Sequence, residues 1–382
     1  MQSFDYDPTI RVLFGENSIE RLGELVRELD ARRVLLVTDP GIVEAGHVEH
    51  ALQALKAAGC QSAVFSQVEE NPTTRVVNAG TRFARQNGPI ECIVGLGGGS
   101  SMDCAKGINF LLTNGGKMED YQGMGKASKP MLPSLGVPTT AGTGSEAQSF
   151  ALISQRGSHV KMACGDKKAR FRAVILDPFL TASMPRQVAA VTAIDAVSHA
   201  LESFVTTCRN PLSQMFAREA WRILAGNFEA ALENPDNSEI GGRMLVGAHW
   251  AGAAIENSML GAAHAMANPL TARYGITHGI AVGLMLPHVV RFNGSVAGGC
   301  YQELLSAAGA SNGSPGSSPE RLSQHLVRFK QAAGLPLRLR DCGVCSDDFP
   351  LLAQQATQQW TGTFNPRKLN QDQFIELYEK AF

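Results

Sequence analysis

The sequence predicts an α/β N-terminal domain of Rossmann-like build followed by an all-α C-terminal domain. Two observations predict it. Up to about residue 180 short β-branched runs alternate with helical segments, the mark of βαβ units in a mostly parallel, doubly wound sheet. After Pro185 the β-runs stop, and the remaining segments are rich in Ala, Leu, Met and Glu at helical spacing. This change of pattern divides the chain into domains 1–183 and 184–382. At 382 residues and 44% hydrophobic composition the chain is long and apolar enough for a core in each.

In order, the first half reads as a strand Arg33–Thr38, a helix from about Ile42 to Ala58 and a strand Ser62–Phe65. A helix Thr73–Gln86, a strand Cys92–Leu96 and a helix from about Ser101 follow. Next comes a hairpin from Ser149 to Cys164 turning at Arg156-Gly157-Ser158, then a last strand Arg172–Leu176. In the second half a helix spans Val188–Val205, and Pro269 and Gly275 interrupt a later helical pattern.

Composition removes several function classes. Lys and Arg number 34 against 35 Asp and Glu, a formal charge of −1, so the basic surplus that draws proteins to nucleic acid is missing and no segment is polybasic enough for anionic lipid. Disorder does not suit this hydrophobicity. The segment MQSFDYDPTI lacks the basic start and apolar stretch of a signal peptide, and the longest apolar run, Gly279–Leu286, falls short of the roughly 18 residues of a spanning helix. Eight dispersed cysteines read as reduced thiols; Cys342-x-x-Cys345 lacks a second Cys or His pair at zinc-site spacing. The expectation is a soluble cytoplasmic protein with a small-molecule partner, binding neither nucleic acid nor membrane.

Two glycine loops carry the first chemical signal. Gly95-Leu96-Gly97-Gly98-Gly99-Ser100-Ser101 follows an apolar strand and opens a helix, where glycines let backbone approach a phosphate and a helix N-terminus offers unpaired N–H groups. The match to G-x-G-x-x-G is imperfect, because Ser100 stands where the last glycine would be, and a tight strand-to-helix turn is the plain alternative. A second loop, Pro138-Thr139-Thr140-Ala141-Gly142-Thr143-Gly144-Ser145-Glu146, is dense in hydroxyls and glycines, and two such loops suit a pyrophosphate held from two sides. Asp39, at the end of the first predicted strand, either accepts from adenosine ribose hydroxyls, favouring NAD over NADP, or starts an Asp-Pro-Gly turn.

The second signal is a set of metal-ligand residue types. Asp195 and His199, four apart in a helix, share one face. Such a pair alone is usually structural, but five of the nine histidines fall between residues 199 and 288. With the helical pattern interrupted at Pro269 and Gly275, His264 and His278 can turn toward one point, and three imidazoles with one carboxylate suit Fe²⁺ or Zn²⁺. His249 and His288 read better as core residues or as partners of ligands.

These segments, GGGSSMDCAK (97–106), PTTAGTGSE (138–146), AIDAVSHALESFV (193–205), and GAAHAMANPL (261–270) through THGIAVGLMLPHV (277–289), resemble the successive motifs of the iron-containing alcohol dehydrogenase family. That group includes lactaldehyde (1,2-propanediol) reductase and 1,3-propanediol dehydrogenase. The resemblance covers essentially the whole chain. It implies a dehydroquinate synthase-like architecture, with an NAD-binding α/β domain, a helical metal-binding domain and catalysis in the cleft between them. Metal ligands carry over onto Asp195, His199, His264 and His278. Cofactor contacts carry over onto Asp39, Gly97, Gly98, Gly99, Ser100, Thr139 and Thr140, with Asn71 and Lys161, while Asp103 organises the loop. Phe150 is implied as an apolar wall of the substrate pocket. One position departs: where the family reads H-x-x-x-H this chain has His264-Ala-Met-Ala-Asn268, placing an amide near the nicotinamide that cannot carry a proton at neutral pH. A water chain, a substrate hydroxyl, His288 or His249 would then relay the proton.

The resemblance implies a homodimer or higher homo-oligomer that is a metal-dependent, NAD(H)-linked alcohol dehydrogenase or aldehyde reductase. Its substrate would be a short-chain primary alcohol or diol, 1,2-propanediol and lactaldehyde for example. A glycerol-1-phosphate dehydrogenase or dehydroquinate synthase-like enzyme ranks below it, because the segment from Asp195 to His288 holds few basic residues for a phosphorylated substrate. A nucleotide-binding sensor that lost the reaction rests on Asn268 alone.

Overall fold

The structure, a computed structural model, describes residues 4–155, 161–309 and 316–382. The chain forms two compact units: Asp7–Thr140 with Gly144–Met184, and Pro185–Phe382 with Ala141–Thr143 and the N-terminal residues up to Tyr6.

In the first unit the β-branched runs assemble into a six-stranded sheet. Its strands are β1 (Arg11–Phe14), β2 (Arg33–Val37), β3 (Gln61–Phe65), β4 (Cys92–Gly97), β6 (Ser134–Pro138) and β9 (Ala173–Leu176), in the order β1-β9-β6-β4-β2-β3 with every pair parallel. Successive residues of a strand face opposite sides, so Val34 and Leu36 enter one apolar cluster while Leu35 and Val37 enter another. Helices α1 (Leu22–Glu28) and α3 (His47–Ala57) pack on the first side, α4 (Thr74–Gln86) and α5 (Gly99–Asn114) on the second. A parallel sheet covered on both faces follows. The hairpin strands β7 (Phe150–Ser154) and β8 (Lys161–Gly165) pair antiparallel and, with β5 (Gly123–Met124), make a separate three-stranded sheet. The turn expected at Arg156-Gly157-Ser158 lies outside the described residues.

Three readings of local structure change. The helix expected over 42–58 is two, α2 (Pro40–Glu44) and α3, with the chain turning at Gly46. β1 and β6 were not among the expected strands, since β6 carries Gly136 and Pro138, both weak strand formers. Pro269 does not break its helix.

The second unit is helical: α6 (Arg186–Val205), α7 (Pro211–Glu233), α8 (Ser238–Glu256), α9 (Ala262–Tyr274), α10 (His278–Ala307), α11 (Ser318–Ala333), α12 (Phe349–Thr357) and α13 (Gln371–Ala381). Pro269 lies inside α9 and Pro287 inside α10, and α9 ends instead at Gly275, whose left-handed backbone (φ 67°) closes the last turn. Both α6 and α10 are long and apolar enough to span a membrane by composition, more than the run Gly279–Leu286 suggested. Of these apolar stretches 83% in α6 and 61% in α10 is buried, which identifies them as core helices. Around them Trp221 is fully buried with its Nε1 donating to the Leu304 carbonyl at 2.8 Å, and Phe228 stacks on Phe329 at 4.3 Å.

Candidate metal centre and dinucleotide cradle

In α6 the four-residue spacing sets Asp195 and His199 one turn apart on one face, with Oδ1 and Nε2 at 3.5 Å. From α9 the Nε2 of His264 lies 3.7 Å from the same oxygen, and from the first residue of α10 the Nε2 of His278 lies 3.9 Å from it. The donor atoms of Asp195, His199 and His264 all fall within 4.8 Å of one another, and all three residues are buried. Asp195 Oδ1 and His264 Nε2 have no hydrogen-bond partner. A buried carboxylate oxygen and a buried ring nitrogen left facing each other are costly unless something with positive charge satisfies them. Three imidazoles and one carboxylate converging on that space fit a divalent transition metal.

The electrostatics agree with a site built for a cation. Burial alone would raise the Asp195 pKa, but His199, His278 and His264 around it outweigh burial and hold the carboxyl below its ordinary range. Burial pushes His199 down, toward the neutral form that ligates. Burial also opposes the proton on His264, yet Asp195 and Glu202 on its two sides raise it to about 9. That proton is one a metal would have to replace.

Glu202 and Asn365 were not reached from the sequence. Glu202 Oε2 meets His264 Nδ1 at 2.6 Å and accepts from the Gly261 amide at 3.1 Å, while Oε1 accepts from the Ala263 amide at 2.7 Å. Asn365 Oδ1 accepts from the intervening Ala262 amide at 3.3 Å and from Asn293 Nδ2 at 3.0 Å. Helix α9 begins after Gly261, which has no side chain to cap it, so remote side chains satisfy its first amides. The usable signal for Glu202 is its spacing, seven residues after Asp195 and three after His199; Asn365 carries none.

Asn268, one turn past His264, donates from Nδ2 to Gln359 Oε1 at 2.9 Å. His288 stands ten residues beyond His278, about 15 Å along the helix. Burial, with Lys330, Arg291 and Lys380 nearby, lowers its pKa to about 4. The structure therefore places His288 away from the cluster, which removes it as a relay group. His249 is buried on α8.

In the α/β unit the glycine loop joins β4 to α5. Gly97 has a φ of 141°, and a Cβ there would lie 2.7 Å from Ser101 Oγ and 2.9 Å from Asp39 Oδ2, so only glycine fits. Gly98 supplies no side-chain cap, which leaves the amides that open α5, at Gly99 and Ser100, directed outward from the helix start. Asp39 starts the turn: Oδ1 accepts from the Ile42 amide at 3.2 Å, opening α2, while Oδ2 accepts from Ser101 Oγ at 3.0 Å beside the glycines. Asn71, at a left-handed φ of 53°, donates its amide to Ser100 Oγ at 3.2 Å. The Thr139 amide bonds the Gly97 carbonyl at 3.0 Å, and Thr140 side-chain atoms lie 3.5 Å from where a Gly98 Cβ would be. Thr139 Oγ1 is buried without a partner.

Lys161 and Phe150 sit apart, at opposite ends of the hairpin: Lys161 pairs with Ser154 and Phe150 with Gly165. The Phe150 ring closes over Gly165, where a Cβ would meet it at 2.4 Å, so sheet packing already accounts for its position. Asp103 turns inward, accepting from Ser145 Oγ at 2.6 Å, and Lys106 Nζ donates to the Ser145 and Phe150 carbonyls at 2.7 and 2.8 Å.

A sequence profile described as iron-containing alcohol dehydrogenase matches residues 8–178, and one described as Fe-containing alcohol dehydrogenase family, C-terminal, matches residues 189–382. The chain belongs to the iron-containing alcohol dehydrogenase family. Membership makes it an oxidoreductase acting on a CH–OH group. Among relatives in this family, the 1,3-propanediol dehydrogenase of Klebsiella pneumoniae is 32% identical over 383 residues, 99% of each chain. The lactaldehyde reductase of Escherichia coli (strain K12) is 31% identical over 375 residues, 97% of each. The NAD-dependent methanol dehydrogenase of Bacillus methanolicus is 30% identical over 371 residues, 97% of each. A crystal structure of a 1,3-propanediol oxidoreductase superposes over 100% of both chains with a TM-score of 0.95 at 32% identity.

Proposed function

We propose that this member of the family is an NAD(H)-linked, divalent-metal-dependent alcohol dehydrogenase or aldehyde reductase. Its substrate is a short-chain primary alcohol or diol and the corresponding aldehyde, for example 1,2-propanediol and lactaldehyde. The observation that carries the reading is the group of three buried residues around Asp195 Oδ1, with that oxygen and His264 Nε2 left unpartnered. Asp195, His199, His264 and His278 would hold Fe²⁺, with Zn²⁺ an alternative occupant of the same donors. When bound, such a cation supplies Lewis-acid polarisation of a substrate oxygen.

The chain's own residues do the rest. The amides opening α5 at Gly99 and Ser100, with Gly97 and Gly98 leaving room, hold the pyrophosphate, and Thr139 and Thr140 face it from the second loop. Asp39, whose carboxylate already lies against the glycine loop, accepts from the adenosine ribose and disfavours a 2′-phosphate. Asn71 and Lys161 complete the dinucleotide contacts, and Phe150 lines the substrate side. Asn268, held by Gln359, orients a polar group near the nicotinamide without exchanging a proton, which leaves that exchange to water, to a substrate hydroxyl or to His249. Relatives named for propanediol, lactaldehyde and NAD-dependent methanol chemistry support the substrate and cofactor class. A homodimer or larger homo-oligomer is supported by β1, an edge strand that exposes Val12 and Phe14.

The test is NADH oxidation by Fe²⁺-reconstituted protein over a panel of short aldehydes, with and without chelator. Chelator-sensitive consumption is the expected result. No consumption with any aldehyde after reconstitution with either metal overturns the reading.

A further inference from the structure

We infer that Glu202 is a positioning residue for the metal centre: it fixes which nitrogen of His264 is free to ligate and holds that ring in place. The inference rests on the proposed metal site and deepens it. A neutral imidazole has one N–H and one lone pair, and the partner of the first nitrogen decides where the second points. His264 Nδ1 lies 2.6 Å from Glu202 Oε2. The direction of that bond follows from the other partners of the carboxylate. Oε2 also receives the Gly261 amide and Oε1 the Ala263 amide, and backbone N–H groups only donate. Both carboxylate oxygens therefore serve as acceptors, so Nδ1 donates and the lone pair falls on Nε2. That is the nitrogen left without a hydrogen bond, 3.7 Å from Asp195 Oδ1.

The geometry binds the ring to its helix as well as to its proton. Glu202 grips the two backbone amides at the start of α9 and the side chain of His264 in the same first turn, so the backbone and the ring are set by one anchor. The anchor lies on α6, on the face that carries Asp195 and His199, because positions i, i+4 and i+7 stack along one side of a helix. One face of α6 thus presents two donor groups and fixes a third that belongs to another helix. The approach is close enough that a Cβ on Gly261 would lie 2.9 Å from Glu202 Oε1.

A helix cap and a ligand-positioning group can be separated, because Asn365 caps the same turn through the Ala262 amide, whereas Glu202 bonds both backbone amides and the His264 ring. The experiment measures Zn²⁺ and Co²⁺ affinity of the metal-stripped full-length protein by competition with a chromophoric chelator, alongside its thermal unfolding. Glu202→Gln keeps the size but puts a donor against either Nδ1 or a backbone amide; its affinity should fall about 10- to 100-fold. Asn365→Ala should lower the unfolding temperature and leave affinity within about twofold of wild type. Glu202→Asp, which keeps both acceptors on a shorter stem, should lose less affinity than Glu202→Gln and serves if the latter does not fold. Wild-type affinity in both Glu202 variants, or equal losses in Glu202→Gln and Asn365→Ala, overturns the positioning role. His264→Ala is run in parallel: if it too binds metal as wild type does, the proposed metal site itself fails.

Discussion

The helical unit and the α/β unit concentrate their candidate chemistry in opposite materials. In the former, ionisable side chains, Asp195, His199, Glu202 and His264, are each no more than 6% exposed and depend on one another for charge and hydrogen bonds. In the latter the cradle is mostly backbone: a glycine at φ 141°, an uncapped helix start and a Ser100 hydroxyl that accepts from the Asn71 amide. The difference teaches where each is vulnerable. A site of buried charges fails when one partner is removed, whereas a site of backbone shape fails when an atom is added.

The largest expected effect breaks the first kind. His199→Ala and Asp195→Ala should each lower turnover of the reconstituted enzyme by at least about a thousandfold, since Lewis-acid stabilisation contributes several kcal/mol and each 1.4 kcal/mol is a factor of ten. NADH affinity, read by fluorescence titration, should stay within about twofold. Turnover at the wild-type rate in the metal-stripped variants would sink the assignment.

Next comes the added atom. Gly97→Ala forces a Cβ against Ser101 Oγ and Asp39 Oδ2 in a backbone conformation that side chains rarely adopt, and should weaken NADH binding about tenfold or more. Metal content by elemental analysis should be unchanged. Metal loss with NADH affinity intact would reverse the division of labour between the units.

The smallest effect is on stability. His288 has a folded pKa of about 4 against about 6.5 unfolded, from burial first and then Lys330, Arg291 and Lys380. Because the unfolded chain takes up the proton first, stability present above pH 6.5 is lost as pH falls toward 4, by about 1–3 kcal/mol. His288→Gln should flatten that decline in urea unfolding followed across the range. An unchanged acid slope would assign the sensitivity to other groups.

The sequence made the parallel sheet legible where strands are β-branched and bounded by helices, as at Val34–Val37 and Cys92–Leu96. It hid β6, whose Gly136 and Pro138 read as loop, and it merged α2 with α3, because a single glycine does little to an apolar periodicity. In the candidate centre the Asp195 and His199 pair was legible because helix geometry is local. The convergence of His264 and His278 on the same oxygen was expected through breaks at Pro269 and Gly275, but only Gly275 ends a helix. Glu202 stayed hidden although its spacing was in plain view, since its partners lie 59 to 62 residues away and an acid inside an apolar helix gives no sign of which amides it will meet. His288 falls in the stretch of sequence that carries the ligands, but ten residues of α10 set it about 15 Å beyond His278.

The borrowed caps of α9 also bear on how the molecule comes into being. The turn that carries His264 is finished by Asn365, 103 residues downstream of the amide it accepts from. During synthesis, with domains folding from the N-terminus onward, the α/β unit can settle while this segment has yet to be made. The turn that bears His264 is thus closed by a contact of long sequence separation, which forms only once two distant stretches of the helical unit have met.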